Sequence, residues 1–364
     1  MRITSLTATA LSVPLLEPFV IASGRVDTTR AALVHAWVVD EHTGARALGL
    51  GEAAALPPVT QEDQPQLLQA IARAALDCAS VRIDDDVELR HWLDAQLGDT
   101  PVARAGVECA LLDAQSRLHG LPLRRWLGGD TTCTLLSDIT LPIAEPEHMA
   151  ELAVGYRARG FTAFKVKVGK ELDHDIRALQ LVHARVPDAC FRLDANAGFD
   201  ADQALQLMAA ARRAQLRIEC FEQPCAATDW QGMATVTREA GVPVIADESV
   251  KSLADLDTLL AQRAASGVNL KLAKSGGLLA ALALGRAAKQ HGLQVMCGGM
   301  VETRLGMTAM AHVACALGSV HYVDLDTAFL LAQERFDGGY TDHGPELRLT
   351  SGPGLDVSER APDA

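Results

Sequence analysis

Eight short β-rich runs recur along the chain, each closing on polar residues and each but the last followed by an Ala/Leu-rich amphipathic stretch. They fall at 137–141, 163–168, 190–195, 218–222, 242–247, 267–272, 294–297 and 321–325. This rhythm limits the fold more than any other feature. Strict β/α alternation predicts a parallel sheet, because a parallel crossover needs a helix to carry the chain back. Eight such units predict a closed (β/α)8 barrel of the α/β class. No G-x-G-x-x-G follows any run, which argues against a doubly wound dinucleotide fold.

The barrel is expected over 131–330. Before it, 4–11 and 32–39 read as strands, with a turn at His42-Thr43-Gly44. Helical spacing follows over 64–97, and again over 101–118 before His119-Gly120 and Leu121-Pro122. Residues 1–130 therefore read as an α+β capping domain. The rhythm breaks after 330 with Gly338, Gly339 and Gly344, and the tail 331–364 is expected to pack back and complete the cap.

The net charge of −13 repels phosphate backbones and anionic lipid. Aromatic residues make up only 4%, which leaves little for stacking on single strands. No nucleic-acid or membrane partner is expected. The eight cysteines are scattered without a C-x-x-C pair and read as small buried thiols of a reducing compartment. The start lacks a long apolar segment, and the most apolar stretch, 277–285, is far shorter than the roughly 20 residues a membrane span needs. A cytoplasmic protein is expected.

In a (β/α)8 barrel the site forms where the strands end. Asp194, Glu222 and Asp247 close runs three, four and five, one β/α unit apart. Three converging anions repel one another and demand a cation. An all-oxygen set suits Mg²⁺, with Mn²⁺ a second fit. Lys165 and Lys167, two apart on one strand, point to one face. Two adjacent ammoniums, and a nearby metal, are expected to depress a lysine pKa until it can act as a base. Lys271 ends run six, across the barrel from run two. Asp324 and Asp326 again share a face on run eight. Structural ion pairs are the competing reading for each of these groups taken singly. Gly276-Gly277 reads either as a phosphate nest or as a helix start.

Taken in order, Lys165-Val166-Lys167, Asp194-Ala195-Asn196, Glu222-Gln223-Pro224, Asp247-Glu248-Ser249 and Asn269-Leu270-Lys271 resemble the enolase superfamily, muconate lactonizing enzyme subgroup. The resemblance covers essentially the whole chain. It implies Mg²⁺, one per subunit, on Asp194, Glu222 and Asp247. It also implies Lys167 and Lys271 as the acid/base pair at an α-carbon, with an enediolate between, and Lys165 beside them. Within the subgroup, Asp324-Leu325-Asp326 resembles the dipeptide epimerases, where such a pair meets the α-ammonium of the dipeptide. Thr140 would contact substrate, and Glu248 and Glu302 would orient the lysines.

The implied activity is a dipeptide epimerase of the L-Ala-D/L-Glu type, an isomerase of murein peptide metabolism, assembled as a homo-oligomer. Its arginine for the glutamate side chain would sit in the loop at 18–27, where Arg25 stands one or two positions later than the pattern. Asp27 would instead favour a basic side chain. The rivals are an N-acylamino acid racemase, a cycloisomerase, a hydroxy-acid dehydratase and a non-catalytic barrel.

Overall fold

The computed structural model describes residues 1–130 and 132–360. The expected domain boundary at 131 and the last four tail residues lie outside the described residues. Eight strands run parallel in sequential order, each paired with the next. They are Ile139–Leu141, Ala163–Lys167, Cys190–Asp194, Arg217–Glu222, Val244–Ala246, Gly267–Leu270, Gln294–Cys297 and Tyr322–Val323. The sheet curls until the Asp138 N–H donates to Val323 O at 3.1 Å. Strands one and eight are shorter than their sequence runs. Backbone groups at their ends bond elsewhere, the Leu325 N–H to Ser137 Oγ at 2.9 Å and the Ser137 N–H to Pro345 O at 2.8 Å.

Helices cover the outer face, and the strands are buried on both sides: Phe164/Val166 and Phe191/Leu193 alternate with the buried Lys165/Lys167 and Arg192/Asp194 on the other face. Their starts carry local signals. Asp200 with Gln203, and Ser252 with Asp255, form capping boxes that satisfy free N–H groups at the helix entrance.

The cap centres on a three-stranded antiparallel sheet, Arg2–Leu11, Arg30–Val39 and Arg46–Ala55, with Arg30–Val39 in the middle. Helix Pro101–Leu118 lies directly on it. Glycines permit this closeness, since a methyl group at Gly51 would overlap the carbonyl oxygen of Gly106. The helical pattern over 64–97 divides into Gln64–Ala75 and Asp86–Leu97, where Asp85 caps the second helix by accepting from the Val87 and Glu88 N–H groups.

The region read as a loop at 18–27 is instead most of a hairpin, Pro14–Ile21 with Gly24–Thr28. The tail reaches the cap. Asp113, buried in the cap helix, accepts from the Leu355 N–H at 2.6 Å and the Leu50 N–H at 2.9 Å.

Cap and barrel also join at Glu108, whose Oε1 accepts from the Leu279 N–H at 2.9 Å. A carboxylate thus already faces the helix that begins after Gly277, so the Gly276-Gly277 turn is a helix start and not a phosphate nest. The cysteine reading needs a correction. Cys133 and Cys315 form a disulfide across a separation of 182 residues, which no local spacing announces. The other six remain buried thiols. Among the described residues no helix is long and apolar enough to cross a membrane.

Candidate active site

Strand register gathers the polar residues at one end of the barrel. Lys167 pairs level with Asp194, and Asp194 with Glu222. Asp247, Lys271 and Asp324 each follow directly on strands five, six and eight. All are buried. Lys165 Nζ lies 2.9 Å from Asp194 Oδ2, 2.8 Å from Glu222 Oε2 and 2.7 Å from Asp324 Oδ2. Lys167 Nζ reaches the same Asp194 oxygen at 2.6 Å, as two side chains on one strand face should. Lys271 Nζ is 2.8 Å from Asp247 Oδ2.

For Lys165 the expected depression is outweighed by its surroundings. Burial opposes the charged form of Lys165, but Asp194, Asp324 and Glu222 outweigh it and hold the ammonium well above its usual range. Burial opposes Lys271 in the same way, and Asp247 raises it. Burial likewise opposes ionisation of Asp194 and Asp247, yet the lysines hold both below the usual carboxylate range. Glu222 is different. Burial, with Asp194 beside it, pushes it up to about 7, because Lys165 offsets only part of that burden. The rim is short of positive charge there.

Several residues that shape the site were not singled out from sequence. Lys274 Nζ donates to Asp247 Oδ1 at 2.7 Å and to the carbonyl oxygens of Asp247 and Asn269. It stands three residues after Lys271, on the short helix Leu272–Ser275, and that spacing was the available signal. Gln223, at a left-handed φ of 33°, places its Oε1 to accept from the Asp247 N–H at 2.8 Å. Asn269 Nδ2 donates to Glu222 Oε1 at 2.8 Å. Asp138, two residues before Thr140, joins Asp324 and Asp326 in a cluster whose oxygens lie within 4.8 Å of one another.

Two carboxylate groups therefore compete as a cation site. In the cluster, Asp138 is bound by Arg192 Nη1 at 2.8 Å, Asp324 by Lys165, and Asp326 by the Thr140 N–H at 2.5 Å, while Asp138 Oδ1 and Asp326 Oδ1 are buried without a donor. In the other group, Glu222 Oε2 and Asp247 Oδ2 are buried without a hydrogen-bond donor, although a lysine nitrogen lies 2.8 Å from each. Buried charged oxygens without donors, in an all-carboxylate set, fit a hard divalent cation. Both groups meet that description.

Asp326 does not cap the turn Thr327–Leu330 with its side chain. Its Oδ1 is buried and has no donor. Burial, with Asp324 beside it, pushes its carboxyl up to about 7. Glu302 accepts from the Met300 N–H at 2.9 Å, and Glu248 from Asn196 at 3.3 Å; neither is hydrogen-bonded to a lysine. Thr140, Lys165, Lys167, Asn196, Lys271, Asp324 and Asp326 line one cleft, roofed by Phe19 and Ile21 of the cap hairpin. Arg25 is not among them. Its side chain is 61% exposed and holds Asp27 at 2.8 Å.

Comparison with known proteins agrees with this architecture. Residues 3–128 match the model of the mandelate racemase / muconate lactonizing enzyme N-terminal domain, and residues 148–361 match that of the enolase C-terminal domain-like family. The chain belongs to the enolase superfamily. This superfamily member is 35% identical to an aromatic dipeptide epimerase of Herpetosiphon aurantiacus over 98% of both chains. Its structure superposes on the substrate-liganded L-Ala-D/L-Glu epimerase of Bacillus subtilis with a TM-score of 0.93, at 32% identity, covering 99% of this chain and 100% of that one. Against the dipeptide epimerase of Enterococcus faecalis complexed with Mg and L-Leu-L-Tyr, the TM-score is 0.91 at 30% identity, with 99% and 100% covered. The protein is an isomerase of the epimerase and racemase kind, acting on amino acid derivatives.

Proposed function

We propose that the protein is a Mg²⁺-dependent dipeptide epimerase that inverts the α-carbon of the C-terminal residue. The observation that carries this reading is the acidic pair at strand eight. Asp324 is shared with Lys165, but Asp326 keeps a buried oxygen with no donor. A substrate ammonium meets that need, whereas an N-succinyl group or muconate brings another anion to the same place.

Asp194, Glu222 and Asp247 would hold the cation. When bound, Mg²⁺ supplies positive charge beside the substrate carboxylate and makes the α-proton more acidic. Lys167 and Lys271 approach from strands on opposite sides of the barrel. One, neutral, takes the α-proton as the C–H bond breaks. The other, as an ammonium, gives a proton to the opposite face as the new C–H bond forms. Lys165, held by three carboxylates, stays charged and faces the developing negative charge. Gln223 and Lys274 fix Asp247.

α-Proton exchange in D₂O with Mg²⁺, followed by NMR, tests this. Exchange with inversion is expected for dipeptides with a free amino group. Turnover confined to N-succinylamino acids, or to a lactone precursor, overturns it.

A further inference from the structure

Building on the epimerase reading, we infer that the residue being inverted carries an apolar side chain, aliphatic or aromatic, rather than a glutamate or a basic one. The two sides of the cleft divide by chemistry. The barrel strands contribute its charged groups, while Phe19, Ile21, Leu56 and Val59 of the cap, with Met300 and Val301, form an apolar wall. The reacting α-carbon has four substituents. Its carboxylate belongs at the metal end, its amide runs toward Asp324 and Asp326, and its hydrogen faces a lysine. The side chain is left to the cap.

The hairpin register turns away Arg25, the cation that the resemblance offered for a glutamate side chain. Val20 pairs with Arg25, Phe19 with Val26 and Ile21 with Gly24. Opposed residues of an antiparallel pair share a face, and successive residues alternate. Phe19 and Ile21 are buried against the cleft, so Val20 and its partner Arg25 face outward. Asp27, two residues on, lies on that outer face too and pairs with Arg25 at 2.8 Å. A basic side chain therefore finds no acceptor on the wall either. Phe19 lies directly beside the reacting face, with Lys167 Nζ 5.7 Å from its ring centre. An unpaired carboxylate buried against such a wall is strongly disfavoured.

The test compares L-Ala-L-Leu, L-Ala-L-Phe, L-Ala-L-Lys and L-Ala-L-Glu, with Mg²⁺, by α-proton exchange and by the thermal midpoint Tm at equal dipeptide concentration. The apolar pair is expected to exceed L-Ala-L-Glu and L-Ala-L-Lys in kcat/KM by on the order of 100-fold or more, and to raise Tm where the charged ones do not. An Ile21→Arg variant is expected to shift the ratio toward L-Ala-L-Glu. A glutamate or lysine dipeptide that matches the apolar pair in both readouts overturns this inference and leaves the epimerase standing. An unchanged ratio in Ile21→Arg overturns the place given to the hairpin wall. No exchange with any dipeptide removes the epimerase reading and this inference together.

Discussion

The barrel rim and the cap face each other across one cleft and are chemically opposite. The rim holds lysines and carboxylates, buried and in contact within 3 Å of one another. The cap residues that line it, Phe19, Ile21, Leu56 and Val59, are apolar. Such a division separates reaction from selection. Proton transfer beside a carboxylate requires a fixed array of charges, which parallel strands can hold rigidly at their ends. Choice of side chain requires only a shaped wall, which a hairpin can alter without disturbing the array.

The comparison breaks most visibly if a rim residue proves dispensable. Lys271→Ala is expected to lower kcat for epimerisation by about 10²–10⁴-fold, measured by polarimetry. Exchange from the one epimer that Lys167 serves is expected to survive. Asp324→Asn with Asp326→Asn comes next. Loss of both partners for a buried ammonium costs about 2–5 kcal/mol, so kcat/KM should fall at least ~30-fold in steady-state assays.

The pH profile sharpens the same point. Asp326 sits at about 7 without a cation, and an ammonium binds its ionised form. The kcat/KM for a dipeptide should therefore be full above pH 7 and fall about tenfold per unit as the pH drops through it. Asp326→Asn should flatten that limb.

Changes on the cap side should be smaller and selective. Phe19→Ala is expected to reduce kcat/KM for apolar dipeptides about tenfold, with less effect on a small second residue such as alanine. Arg25→Ala should change kcat/KM by less than ~2-fold for every dipeptide, because its side chain points away from the cleft. A large loss with L-Ala-L-Glu alone would return Arg25 to the site.

Much of the rim was legible from the strand ends. Asp194, Glu222, Asp247 and Lys271 each close a β-rich run, and once the runs are barrel strands their last residues meet. Lys274 and Gln223 were less legible. Their importance lies in what they touch, the Asp247 carboxylate and backbone, across elements well separated in sequence. The disulfide between Cys133 and Cys315 was hidden for the same reason.

By itself the sequence determined the β/α rhythm and the alternation that puts Lys165 beside Lys167, and Asp324 on the face of Asp326. These depend on residues a few positions apart, and backbone geometry fixes the period. Tertiary structure alone decided that Arg25 faces outward, that Lys165 is ringed by three carboxylates, and that Asp138 stands behind the strand-eight pair. Strand register and summed charge depend on partners from distant segments, and a one-residue shift in pairing would turn the hairpin's Arg25 to the other face.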